Sequence, residues 1–329
     1  MEKKRVFSGV QPTGNIHLGN YIGALKQFVN LQDEMDCVYC IVDMHSITVP
    51  QDPKQLRETT LDVAALYLAV GLDPKKSIIF VQSTVPQHAE LSWILTCNAY
   101  MGELGRMTQF KDKGKGSDSA GAGLFTYPIL MAADILLYKA HLVPVGNDQK
   151  QHIEITRDLA NRFNHKYGDT FVIPDYKGIE VGARIMALDD PLKKMSKSAE
   201  NIHSRISLLD SPDKVKKSIM KATTDSEGVI RLDWENKPGV SNLLTIYSAF
   251  TDRKIDDIVG QYEGAGYGQL KKDLVEIINE SLTPIRKAFE EKRNSEELMD
   301  ILKDGRERAS EIAEQTMKEV RDKVGFIRM

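Results

Sequence analysis

Two short stretches of this chain combine hydrogen-bond donors or cations with small residues, as phosphate chemistry requires. The first is His17-Leu18-Gly19-Asn20. It follows the alternating run Val6 to Val10, which reads as a β-strand, and the turn Gln11-Pro12-Thr13-Gly14. It opens a helical spacing of apolar residues at Ile22, Leu25, Phe28 and Val29. A helix start leaves amide N–H groups unpaired and carries partial positive charge, so the arrangement suits an anion. Gly19 lets a flat ring approach the backbone, and Asn20 adds a neutral donor. Alone, the same residues also fit an ordinary strand-turn-helix with a surface histidine. The second stretch, Lys193-Lys194-Met195-Ser196-Lys197-Ser198, follows Pro191 and makes a flexible cationic loop. Alone, it also fits a basic linker.

A third feature is one acid in an apolar helix. Asp134 interrupts Ile129-Leu130-Met131-Ala132-Ala133 and Ile135-Leu136-Leu137. Burying an unpaired carboxylate costs several kcal/mol or more, so a partner must exist. It is either a group of the protein, a backbone amide or a basic residue, or a donor that arrives with a substrate. Tyr127, Met131 and Asp134 share one helix face. Phe7, Gly9 and Gln11 likewise alternate onto one face of the first strand.

The elements that must position these residues follow from periodicity. Apolar runs at Val38–Val42 and Ser77–Val81 read as buried strands, and Leu142–Val145 as a short strand. Helices are expected from Leu56 to Val70, Glu90 to Met101, Tyr127 to Tyr138 and through Ile153, Leu159 and Phe163. Strands alternating with helices to about residue 186 argue for a doubly wound, mainly parallel, Rossmann-like α/β sheet. From Pro212 onward only helical patterns remain, including separate ones at Glu296–Leu302 and Ala309–Val324. The expected division is 1–190 as the Rossmann-like domain, 191–204 as loop and junction, and 205–329 as an all-helical domain. Arg306, Arg308, Lys318, Arg321 and Lys323 alternate with glutamates there, as on a solvated helix face. Lys111 to Gly123, rich in Gly, Ser and Lys, reads as a surface loop: a linker, or a flap carrying lysines over a polyanion.

The 329 residues carry a net charge of −3, so no basic body advertises nucleic acid, and any RNA partner needs a local patch. No run approaches the ~20 apolar residues of a membrane span, and Met1 to Arg5 leads into a strand, so a cytoplasmic location is expected. Cys37 and Cys40 would point to opposite faces of one strand and read as structural.

His-Leu-Gly-Asn resembles the His-x-Gly-His signature of class I aminoacyl-tRNA synthetases, in the Gly-Asn form of the tryptophanyl branch. Lys194 to Ser198 matches their Lys-Met-Ser-Lys-Ser signature at the expected domain boundary. With Phe7–Gly14, Gly102–Leu104, Arg106–Lys111, Met131–Leu136, Val143–Gly146, Asp148–His152, Val181–Met186 and Thr224–Glu227, the whole chain resembles the bacterial tryptophanyl-tRNA synthetase family.

That resemblance implies two steps. Tryptophan and ATP give tryptophanyl-adenylate and pyrophosphate, and tRNA(Trp) then accepts tryptophan at its 2′-hydroxyl. It implies nucleotide contacts from Gln11, Pro12, Thr13, Gly19, Asn20, Gly146, Asn147, Asp148 and Ile185, and from the loop residues Lys194, Met195, Ser196, Lys197 and Ser198. His17, Asn20, Lys194, Lys197 and a flap lysine, Lys113 or else Lys111, are the expected catalytic donors. Phe7, Gly9, Gln11, His45, Tyr127, Met131, Asp134, Val143, Val145 and Gln149 are expected around tryptophan, with Gly9 leaving room for the indole. For His45 the plain alternative is a buried, hydrogen-bonded histidine. No dedicated carboxylate cage is visible, so Mg²⁺ would bridge phosphate oxygens. The family implies a homodimer and an anticodon-binding role for 205–329. A tyrosyl enzyme, a small-molecule adenylyltransferase and a non-catalytic paralogue are the competing readings.

Overall fold

The computed structural model describes residues 3–14, 16–107, 121–146, 149–177, 184–196, 199 and 201–327. The chain forms two compact units, one of Met1–Thr13, Phe28–Gly178 and Lys292–Met329, the other of Gly14–Gln27 and Ile179–Glu291.

The first unit is built on a five-stranded sheet in the order β3-β2-β1-β4-β5. Its strands are β1 (Arg5–Val10), β2 (Asp36–Ile41), β3 (Ser77–Val81), β4 (Leu142–Pro144) and β5 (Asp175–Lys177). Every pairing is parallel. Residues 37–41 and 77–81 are buried throughout, as continuous apolar strands covered on both faces must be. The chain starts in the middle, steps outward through β2 and β3, then crosses to the other side of β1. The switch point of the doubly wound sheet therefore lies between β1 and β4, where such folds hold ligands.

Helices α1 (Pro53–Ala69), α2 (Gln87–Thr96), α3 (Ala122–Leu137) and α4 (Lys150–Tyr167) join the strands. The start of the first is chemically marked. At α1, Asp52 caps the Gln55 amide at 2.8 Å and Pro53 takes the first turn, and Gly71 beyond the other end has φ +106°.

The C-terminal helix differs from the sequence reading. The two separate patterns form one helix, α8 (Glu297–Val324). Gly305 does not break it, because a Cβ there would overlap the Ile79 carbonyl, and glycine lets the helix lie directly on β3. Ala309, Ala313, Met317 and Val320 are fully buried in the same core as Ile78 and Phe80. The helical domain expected at 205–329 is thus divided, its last helix completing the sheet's core. Gly14–Gln27 and the residues from 179, expected inside 1–190, belong to the second unit.

The solvated-face reading of α8 also needs correction. Arg308 donates to the Pro74 carbonyl at 2.8 Å, Arg321 grips Glu90 through two bonds of 2.7 and 2.6 Å, and Lys323 reaches Thr170 Oγ1 at 2.7 Å. Arg306 and Lys318 stay exposed.

In the second unit, the segment after Gly14 becomes helical at Leu18 and continues through a π turn at Tyr21–Leu25. Gly14 itself takes φ +68°, the left-handed turn that favours glycine. Helices α5 (Pro212–Lys221), α6 (Pro238–Thr251) and α7 (Tyr267–Arg293) follow, the last two residues of α7 lying in the first unit.

Candidate active site

At the carboxyl ends of β1 and β4 the first unit encloses a cavity of about 370 Å³. Phe7, Gly9, Gln11, His45, Tyr127, Met131, Asp134, Val143, Val145 and Gln149, the ten residues expected around one substrate, all line it. Ser8, Val42 and Ile135, not among those ten, complete the lining. The volume falls in the usual ligand range of about 300–1,000 Å³.

Asp134 is 1% exposed, and its partners belong to the protein. Oδ1 accepts from Gln82 Nε2 at 2.7 Å and from His88 Nδ1 at 2.6 Å, while Oδ2 accepts from His45 Nε2 at 2.7 Å. The idea that its partner arrives only with the substrate is therefore corrected. Burial pushes the carboxyl pKa up, but His45 and then His88 outweigh it and hold the group below the ordinary carboxylate range. His88 Nε2 in turn accepts from the Tyr138 hydroxyl at 2.8 Å, and the Tyr138 ring stacks on Phe7 with centroids 5.4 Å apart. Gln82, His88 and Tyr138 were missed in the sequence. The signal was present: an acid inside an apolar helix demands donors, and His88 lies in the segment that becomes α2, which packs against α3.

Two further residues read differently in the structure. A Cβ on Gly9 would meet the Cys40 carbonyl at 2.9 Å and Val42 Cγ1 at 2.8 Å, so close packing of β1 on β2 already requires glycine there. Tyr127 bonds His152 Nε2 at 2.6 Å, and burial pushes its phenol up to about 12.

The second unit carries the described parts of both signatures. His17 is buried and caps the helix start: its Nδ1 accepts from the Asn20 amide, and Asn20 Oδ1 accepts from the His17 amide, both at 3.3 Å. An added Cβ at Gly19 would lie 3.0 Å from His17 Cε1 and 3.7 Å from Ile185 Cβ, so glycine first makes room for these two side chains. Leu18 N donates to Ile206 O at 2.9 Å and Leu208 N to Ile16 O at 3.0 Å, tying this turn to the segment after the lysine loop.

That loop leaves from a two-stranded ribbon. Ala187 N donates to Lys193 O at 2.8 Å and Met195 N to Ile185 O at 3.0 Å, pairing Met186 with Lys194 antiparallel. Ile185 and Met195 are buried, Ser196 is half-buried and Lys194 is exposed. The ribbon therefore joins Ile185, which borders Gly19, to the loop carrying Lys194.

Gln11, Pro12, Thr13 and Gly146 lie in the first unit, where Pro12 O accepts from Thr59 Oγ1 at 2.8 Å. Asn147, Asp148, Lys111, Lys113, Lys197 and Ser198 lie outside the described residues.

Residues 1–283 match the family model described as tRNA synthetases class I (W and Y). Over 324 residues the chain is 59% identical to a tryptophan–tRNA ligase of Caldanaerobacter subterraneus subsp. tengcongensis, covering 98% of this chain and 99% of that one. Its structure is similar to tryptophanyl-tRNA synthetase of Mycoplasma pneumoniae, with TM-score 0.91 and 37% identity over 99% of this chain and 98% of that one. It is also similar to the Campylobacter jejuni tryptophanyl-tRNA synthetase solved with ADP and tryptophan, with TM-score 0.84 and 38% identity over 98% of this chain and 100% of that one. On identity and coverage of this extent, the chain belongs to the class I tRNA synthetases for tryptophan and tyrosine, in the tryptophan–tRNA ligase branch.

Proposed function

We propose that the enzyme divides its reaction between a tryptophan cavity in the first unit and phosphate-binding signatures in the second. The reaction joins L-tryptophan to ATP, releasing pyrophosphate, and passes tryptophan from the adenylate to the 2′-hydroxyl of the terminal adenosine of tRNA(Trp). The first step is an in-line attack of the amino-acid carboxylate on the α-phosphorus. No protein nucleophile is required, so catalysis is positioning and stabilisation of spreading phosphate charge. His17 and Asn20 order the helix start under the nucleotide, and Lys194 and Lys197 supply positive charge to the phosphates. Gln11, Pro12, Thr13, Gly146, Asn147, Asp148 and Ile185 hold the nucleoside, with Met195, Ser196 and Ser198 shaping the lysine loop. Lys113, or Lys111, acts from the flap.

One observation carries the tryptophan half: Asp134 on the cavity wall. A carboxylate has about four acceptor positions, and among the described residues two are used on Oδ1 and one on Oδ2. The remaining one, on Oδ2, suits an indole, which has one donor and no acceptor. Phenylalanine would leave it unmet. Phe7, Met131, Val143 and Val145 hold the ring, and His45 and Gln149 serve the amino-acid end. Mg²⁺ would come with the triphosphate, since this ion commonly keeps waters and substrate oxygens as ligands.

Pyrophosphate exchange from ATP, measured across all amino acids, tests the reading. Tryptophan should be the one strong substrate. Exchange with tyrosine instead would favour the tyrosyl reading, and no exchange at all the non-catalytic paralogue.

We assign tRNA binding to the helical residues of 205–329, where Lys216, Lys217 and Lys221 are exposed on α5. Affinity for tRNA should fall with salt, and more shallowly when these lysines are neutralised. The partner copy of a homodimer would cover Trp93, Tyr100 and Met101, which are 66%, 60% and 74% exposed. Trp93→Glu should then yield a monomer by light scattering. A cytoplasmic location goes with this reading. No helix among the described residues is long and apolar enough to cross a membrane.

A further inference from the structure

The ribbon under Lys194 has an outer edge that one side chain closes. In an antiparallel pair whose flanking residues exchange the hydrogen bonds, the middle residue's own N–H and C=O point away from its partner. Met186 is such a residue. The bonds to the lysine strand come from Ala187 and Ile185, on either side of it. Its N–H instead donates to Asn242 Oδ1 at 2.9 Å, and its C=O accepts from Asn242 Nδ2 at 3.0 Å. Met186 is 8% exposed and Asn242 1%, so without this carboxamide both backbone groups would be buried and unpaired.

We propose that Asn242 is a positioning residue for the phosphate-binding loop, its carboxamide standing in for a third strand that holds Lys194 at its working depth. The helix that carries it is fixed where this role needs it. A Cβ on Gly239 would overlap the Thr223 carbonyl, so α6 lies directly on that backbone. Thr223 in turn donates its amide to Leu188 O at 2.7 Å and its hydroxyl to Asp189 O at 2.8 Å, on the bend that follows Met186. Lys237, just before α6, is 1% exposed and bonds Asp225 at 2.8 Å, Glu227 at 2.7 Å and Tyr267 at 2.9 Å. The loop's base is closed by Leu188 N to Ser204 O at 2.8 Å and by Asn201 to Asp189 at 2.7 Å. Helix, ribbon and loop base form one hydrogen-bonded frame, and among the described residues only Asn242 reaches both outward backbone groups of Met186. Carboxamide chemistry is needed for this, since one end must accept and the other donate.

The inference rests on the assignment of Lys194 to the phosphates, and Lys194→Ala tests that assignment separately. In the full-length enzyme Asn242→Ala should lower the kcat of tryptophan-dependent pyrophosphate exchange roughly 10- to 100-fold, the scale of a misplacement of about 1 Å. The Kd for tryptophan, by equilibrium dialysis, should stay within about two-fold, and hydrogen exchange should quicken at residues 185–187 and 193–195. Asn242→Asp keeps the acceptor for the Met186 N–H and loses the donor, so its rate should lie between. Wild-type exchange in Asn242→Ala while Lys194→Ala is slow overturns the role of Asn242 alone. Wild-type exchange in Lys194→Ala overturns the assignment beneath it. Equal loss of tryptophan binding and turnover, or failure of both Asn242 variants to fold, shows a side chain that the whole unit needs and overturns a role confined to the loop.

Discussion

The cavity of the first unit and the signature region of the second solve opposite problems. The cavity wall around Asp134 and Phe7 is specified by side chains that are buried, mutually bonded and already in place. Asp134 is held by His45, His88 and Gln82, and Phe7 is braced through Tyr138. The signature region is specified by backbone: a helix start, a two-residue capping exchange and a ribbon, with Lys194 left exposed. Recognition of a neutral ring needs a wall that does not yield, because discrimination depends on polar groups left unmet by the wrong ligand. Stabilising charge that develops on a phosphate needs donors that act chiefly in the transition state. Damage should therefore register as lost stability and selectivity in one region and as lost turnover in the other.

Asp134→Ala is the strongest test. It removes a buried charge from its partners and should cost about 3–5 kcal/mol in urea unfolding, together with tryptophan binding. A loss below about 1 kcal/mol would mean that the wall is not a mutually supporting network. Lys194→Ala should lower exchange turnover by roughly 10²–10³, with the melting temperature and tryptophan Kd unmoved. A matching loss of tryptophan affinity would erase the contrast between the two regions.

Acid sharpens the same contrast. The Asp134 pKa is depressed in the folded state, so its contribution to stability is present above its unfolded value, about 4, and is lost as pH falls toward the folded value. Urea stability of the wild type should decline through that acid range, and Asp134→Asn should flatten the decline. Parallel curves would place the acid sensitivity elsewhere. The smallest effect is expected from Tyr127→Phe, which removes one partly buried hydrogen bond to His152 and should cost about 1 kcal/mol. It should also remove from the ultraviolet titration the phenol that ionises at about 12.

The two regions were also unequally legible in the sequence. Strands β1 to β3 and two sets on the cavity wall, Phe7 with Gly9 and Gln11 and Tyr127 with Met131 and Asp134, could be read because continuous apolar runs and strand or helix periodicity fix which side chains share a face. Their grouping with His45, Val143, Val145 and Gln149 around one substrate came from the family resemblance. Strand β5, Asp175–Lys177, could not, being three residues without an apolar run. The partners of Asp134 come from segments 46 and 89 residues away, and no local pattern encodes such pairing. The gap between the patterns at Glu296–Leu302 and Ala309–Val324 has another cause: glycine is a poor helix former, yet Gly305 sits inside α8 because its contact with Ile79 makes it necessary. In the signature region the residue types announced phosphate chemistry, but the role of Asn242 is set by backbone groups that carry no sequence signal.

Gly305 on β3 also constrains how the protein can be made. The first unit is assembled from three separate stretches of chain, the last beginning at Lys292, and the peptide passes between the units four times. The edge strand emerges well before Ala309, Ala313, Met317 and Val320, which cover it, and the long stretch of the second unit is made in between. At ordinary translation speeds the nascent chain therefore waits on the order of ten seconds between finishing β5 and receiving its last core helix. During that interval the core that includes Ile78 and Phe80 is incomplete, which is when chaperones would engage and when a stalled ribosome would release an aggregation-prone fragment.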